Sequence, residues 1–354
     1  MDIDHHTLTL HDPGDLIAAV PPMLGFVPAR SLVLVSFSGP GSRLGITMRH
    51  DMVLDDDGAP AAVMCDVVDH LVTVAARERA SSVAVIVVDD RVPADDPRWE
   101  ALIADVETRL GDIDLGVALA VDEIRNGARW YVVGSTGGRG AWTGLLPDPS
   151  STPTAVARAV TSGTTVHARR EDMAAALDPA PPCVDLDCRH HRTDDAAAHN
   201  GTRRSDAARL RSVLARLGRR ELTCADVEVV ATAIAVPRVR DALLALAVSV
   251  HAEDAGALWT AMTRRCRGRD RANAATLLAH WYYAHGDGSF AGVALDAALS
   301  AFPPHSMAGL LDQSLRAGLP PTLLTGLLAT SHGVAADLGV VMPPSLPDLL
   351  EPGA

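Results

Sequence analysis

The chain has 354 residues, enough for two domains, since single hydrophobic cores seldom grow beyond about 250–300 residues. Its formal net charge of −13 opposes a broad phosphate-binding surface, so sequence-independent nucleic-acid binding is not expected. Hydrophobic residues make up 48% of the chain and aromatics only 3%, so the core is expected to be Ala, Val and Leu in close-packed helices and short buried strands.

The N-terminus, MDIDHHTLTLHD, has neither a basic flank nor an apolar run, so no secretory signal is expected there. The apolar runs are of strand length, too short for a membrane span. Five irregularly spaced cysteines suggest reduced thiols, not a disulfide framework. A soluble, cytoplasmic protein is the expectation.

Asp12-Pro13 reads as an N-cap followed by proline at the first helical position, with Leu16, Ile17 and Val20 on one apolar face. Pro21-Pro22 are expected to stop this helix. Residues 31–37 and 44–48, joined by a short Gly/Pro/Ser loop, read as an antiparallel hairpin ending in Arg49-His50-Asp51. Residues 61–79 have helical spacing, and 83–88 form an apolar run suited to a strand covered on both faces. Asp96-Pro97 open a second helix, which Gly111 ends. Residues 115–121 are the next buried strand, and Arg129–Val133 should return antiparallel after Asn126-Gly127. Strand, helix, strand, helix, strand is the pattern of an α/β core with a mixed, centrally parallel sheet in three layers.

Small helices follow near 153–163 and 171–177. Residues 178–204 are rich in Pro, Asp, His and Arg without apolar periodicity and read as a linker between an α/β domain, 1–177, and an all-helical domain, 205–354. In 272–305, Ala279, Tyr282, Ala291, Leu295, Ala298 and Pro303 fall at positions that look like a tetratricopeptide repeat, a helical hairpin whose small residues let two helices approach closely.

Taken together, these stretches resemble a family catalogued as domain of unknown function 4192. The matching pieces are Asp12-Pro13 with Leu16; Val20-Pro21; Leu24-Gly25-Phe26 with Pro28 and Ser31; Arg49-His50-Asp51; Arg129-Trp130; the helix after Pro153; Arg170-Glu171; and Gly286-Asp287-Gly288 with Ala291 and Ala294-Leu295. The resemblance covers most of the chain and implies its boundaries. It brings no activity, ligand or catalytic residue.

Chemistry is therefore sought in topology. If the strands near 44–49, 83–88 and 115–121 run parallel, their carboxyl ends share one edge, where ligands bind in open α/β sheets. That edge would carry Arg49, Asp51, Asp89 and Asp122, with Arg129 and Trp130 beside them. Converging carboxylates there would suit Mg²⁺, and the arginines a phosphate or carboxylate. The plainer reading is that acidic residues cap helices as strands run into loops.

Other constellations are weaker. The run 134–140 is glycine-rich but lacks the Lys-Ser/Thr of a phosphate-binding loop. Cys183, Cys188, His190, His191 and His199 are zinc-ligand types at a spacing that matches no common site. Arg264, Arg265, Arg267, Arg269 and Arg271 read as a solvated helix end, or as a dock for an acidic partner. The expectation is a non-enzymatic adaptor or regulatory protein that binds a protein partner through its helical domain, with a small-ligand pocket in the α/β domain. The alternative is a metal-assisted hydrolase or transferase acting on a phosphorylated small molecule or nucleotide.

Overall fold

The structure, a computed structural model, describes residues 12–39, 43–134, 143–162, 166–181 and 203–346. The chain divides into two compact units, Met1–Asp172 and Met173–Ala354.

The first unit begins with helix α1 (Pro13–Leu24), whose first turn is capped as its sequence suggests: the Gly14 amide donates to Asp12 Oδ1 at 2.6 Å. Pro21 and Pro22 do not end it. They lie inside the last turns, and the helix stops at Gly25, where φ is 83° and the amide donates back to the Pro21 carbonyl. Proline disfavours helix in the residue before it but does not forbid it, so the left-handed glycine sets the boundary.

Strands β1 (Ser31–Ser38) and β2 (Arg43–Asp51) form the expected hairpin. Helix α2 (Val63–Arg77), β3 (Ser82–Val88), α3 (Arg98–Leu110), β4 (Asp114–Val121), β5 (Arg129–Val132) and β6 (Thr143–Leu145) follow. The sheet order is β2-β1-β3-β4-β5-β6, and only β3 and β4 are parallel neighbours. Strands β2, β3 and β4 do run the same way, as expected, but β1 stands between β2 and β3 in the opposite sense. The sheet is thus mixed, with its parallel part reduced to one pair.

Leu32, Leu34, Val85, Val87, Ala118 and Ala120 fill one face with the apolar sides of α2 and α3. Both crossover helices lie on that face because both connections step the same way along the sheet. Helix α1 covers the opposite face: Thr47 Oγ1 donates to Met23 Sδ at 3.2 Å, and the buried Trp130 indole lies against Gly14. Helices α4 (Pro153–Ser162) and α5 (Arg170–Ala175) complete this half, α5 running across the division between the units.

The described part of the second unit is built of helices: α6 (Arg203–Leu214), α7 (Cys224–Ile234), α8 (Pro237–Leu243), α9 (Ala252–Arg265), α10 (Gly268–Ala284), α11 (Gly288–Ala301), α12 (Ser306–Arg316) and α13 (Thr325–Asp337). Extensive packing joins α10 to α11 and α10 to α9. Ala275 and Ala279 on α10 and Ala291, Ala294 and Ala298 on α11 are all buried. Arg267 and Arg271, from the basic run, tie down the incoming chain by donating to the carbonyls of Ala180 and Leu177. No helix among the described residues is long and apolar enough to cross a membrane.

Candidate functional site

The carboxyl edge of the sheet gathers the charges that topology promised, but most are held by near neighbours. Arg49, on the α1 side of β2, donates from Nε to Ser31 Oγ at 2.8 Å and meets the Asp51 carboxylate at 2.5 Å. Its guanidinium carbon stands 5.8 Å from the centroid of the Phe26 ring. Ser31, fully buried, donates its own hydroxyl hydrogen bond to the Ala29 carbonyl. Asp51 is 71% exposed at this edge.

Asp89 is enclosed. Its carboxylate accepts from the amide, Nε and an Nη of Arg91, at 2.9, 3.0 and 2.6 Å. Arg91 also donates to the Met52 carbonyl, which fastens the exit of β2 to that of β3. Asp122 Oδ1 accepts from the Ala94 amide at 2.9 Å and so holds the loop before α3. Asp90 lies outside this group and pairs with Arg30, which adopts a left-handed φ of 48° at the start of β1. The Arg30 guanidinium holds the Asp90 carboxyl below its ordinary range.

The six residues predicted for the site therefore share an edge without sharing a cleft. Arg49 and Asp51 pair with each other, Asp89 with Arg91, and Asp122 with a backbone amide. Arg129 is exposed and has no partner among the described residues. Trp130 is 2% exposed and wedged between glycines, as a packing residue is. Among the described residues no group of three His, Cys, Asp or Glu side chains is placed to hold a metal ion. The β1 strand separates Asp51 from Asp89 by two strand spacings, about 10 Å. With α2 and α3 on one face, chain order does not reverse between β3 and β4, and the crevice such a reversal opens is not formed there.

A different cleft, of about 560 Å³, lies in the helical unit between α9 and the turn that joins α6 to α7. Four arginines line it: Arg216, Arg219 and Arg220 from the turn, and Arg265 from the end of α9. Beneath them Asp226, buried at the third position of α7, closes a capping box with Thr223. Hydrogen bonds from the Thr223 side chain and amide, aided by Arg219 and Arg216, pull the Asp226 carboxyl down to about 2. Arg265 donates to the Leu222 carbonyl and lies 3.6 Å from Cys224 Sγ. The basic run containing Arg265 is legible in the sequence, whereas its convergence with a turn more than forty residues earlier is not.

Cys266 is buried, and burial pushes its thiol up to about 12, which makes it inert. The glycine-rich run beyond Gly134 and the Cys183, Cys188, His190, His191 and His199 group lie outside the described residues.

A family model described as Domain of unknown function (DUF4192) matches residues 13–322. The chain belongs to that family. The match opens at α1 and ends just before α13, so DUF4192 spans both units, with the acidic edge and the arginine-lined cleft alike inside it. No curated protein and no solved structure matches the chain.

Proposed function

We propose that this DUF4192 chain is a non-enzymatic adaptor or regulatory protein that works by binding through its helical unit. The observation that carries this reading is the contrast between the two candidate regions. At the sheet edge Asp89 and Asp122 already complete local hydrogen-bonding arrangements that hold loops. In the helical unit a concave site has the volume of a typical ligand pocket and arginines with donors to spare.

The helical unit is read as tetratricopeptide-like. In support, α10 and α11, of 17 and 14 residues, are antiparallel neighbours joined by a short turn at Gly286, where φ is 77°. Both helices bury alanines, Ala275 and Ala279 on α10 and Ala291, Ala294 and Ala298 on α11, small residues of the kind that lets helices approach closely. Stacked hairpins of this kind present surfaces to protein partners. Leu310, Leu323 and Leu327, at 65%, 59% and 38% exposure, offer apolar contacts near the last helices. A cytoplasmic location and a protein partner belong to this reading.

The competing reading, a metal-assisted hydrolase or transferase acting on a phosphorylated small molecule, needs Asp51, Asp89 and Asp122 to share an ion. A direct test incubates the full chain with Mg²⁺ or Mn²⁺ and phosphomonoester or nucleoside triphosphate substrates. The adaptor reading expects no metal-dependent turnover. Turnover that is abolished by Asp51→Ala and Asp122→Ala would overturn it.

A further inference from the structure

We infer that the arginine-lined cleft of the helical unit is a binding site for a phosphate-bearing small molecule. The inference rests on the binding reading above only for the role of that ligand, as a regulator; its chemistry comes from the cleft itself.

The first argument is the excess of positive charge. Arg216 Nε and Arg219 Nη1 donate to the same oxygen, Asp226 Oδ1, at 2.9 and 3.0 Å. Those two donor nitrogens therefore stand no more than about 6 Å apart, and one carboxylate serves both. That carboxylate also accepts from the amide and hydroxyl of Thr223, so its acceptor sites are filled. Arg220 is exposed and has no partner among the described residues. Two further carboxylates, Glu221 and Asp254, line the cleft, so its four arginines face three acidic side chains including Asp226 and outnumber them by one. The chain as a whole carries −13, so this is a local reversal of sign.

The second argument is preorganisation. Arg216 is held at Nε by Asp226 and at Nη1 by the Ser212 carbonyl, and its side chain is only 17% exposed. Arg219 is held by Asp226 through Nη1 alone. Each keeps donors in reserve, the second Nη of Arg216 and the Nε and second Nη of Arg219. A guanidinium already fixed loses little entropy when an anion arrives.

The third argument separates phosphate from carboxylate. A planar carboxylate is satisfied by one guanidinium fork, whereas a phosphate presents acceptors in several directions. Spare donors from Arg216, Arg219 and Arg220, on three different side chains, suit the second geometry. The α9 wall carries the small and apolar Ala257, Leu258 and Ala261 between Asp254 and Arg265, and Leu222 lines the cleft from the turn. A site of about 560 Å³ with three arginines on the turn and an alanine-bearing stretch of α9 facing them fits a phosphate attached to an apolar or ring-bearing body.

The test titrates the full chain by calorimetry with inorganic pyrophosphate, adenosine 5′-monophosphate, adenosine and a glutamate-rich peptide at constant ionic strength. The proposal expects binding of pyrophosphate and the monophosphate. Adenosine should bind at least tenfold more weakly, and Arg219→Glu with Arg220→Glu should weaken both phosphates at least tenfold. Arg220→Glu alone, at an exposed position outside the Asp226 cluster, keeps the test valid should the double variant unfold. Arg125→Glu, which matches the charge change of Arg220→Glu but lies in the sheet unit, should leave binding unchanged. Absence of binding at millimolar phosphate, equal loss in Arg125→Glu, or a peptide that binds as tightly as pyrophosphate would each overturn the assignment. None of these outcomes bears on turnover, so the site and the non-enzymatic reading stand or fall separately.

Discussion

The carboxylate of Asp89 and the guanidinium of Arg91 form a charge pair at the sheet edge, 2.6 Å apart, in which the Asp89 side chain is fully buried. Through the Met52 carbonyl the same arginine joins two strand exits. Asp89→Ala would leave Arg91 without its main acceptor, and a loss of about 2–3 kcal/mol is expected in urea unfolding. Asp90→Ala breaks only the exposed pair with Arg30 and should cost under about 1 kcal/mol. Equal losses in the two variants would contradict a structural role specific to Asp89.

Trp130 explains two glycines. A Cβ at Gly14 would stand 2.7 Å from the indole nitrogen, and one at Gly144 would stand 2.8 Å from the ring. Gly144→Ala is therefore expected to destabilise the sheet unit by about 1–3 kcal/mol through overpacking. Gly309→Ala, where a Cβ meets nothing within 4 Å, serves as the control and should be neutral or slightly stabilising in the same thermal scan.

Much of this architecture is legible in local pattern. The Asp12 cap, the β1–β2 hairpin, the return of β5 and the helices of the second unit all follow from period and turn residues. The insertion of β1 between β2 and β3 does not, because strand order depends on pairings between distant segments. Strand β6 spans three residues, too few for an alternation to register. The acidic edge could be read as an edge, but its ligand-like character dissolves once Arg91 and the Ala94 amide are placed. The arginine cleft is the reverse case: Arg216, Arg219 and Arg220 look like an ordinary basic turn until α9 brings Arg265 and its alanine face alongside.

Stability should fall in mild acid. His280 is fully buried, and desolvation, only partly offset by the Leu244 backbone, lowers its pKa from 6.5 to about 4. His305 is also lowered to about 4, chiefly by burial; its Nδ1 accepts from the Ala308 amide and its Nε2 meets Asn273 Oδ1, a pattern that requires the neutral ring. A folded pKa below the unfolded one means that stability is complete above pH 6.5 and declines as pH drops toward 4. For His280 the expected loss by pH 5 is roughly 2 kcal/mol relative to pH 7.5. His280→Leu should flatten part of that slope in urea titrations across the same range. An unchanged slope would contradict the assignment.

The most direct measurement compares pyrophosphate binding by three forms of the full chain: wild type, Arg219→Glu with Arg220→Glu, and Asp51→Ala with Asp122→Ala, each with and without Mg²⁺. If the protein works by binding in its helical unit, pyrophosphate affinity falls at least tenfold in the arginine variant and is unchanged in the aspartate variant, with no need for metal. A signal that requires Mg²⁺ and vanishes only in the aspartate variant would move the site to the sheet edge and contradict the account.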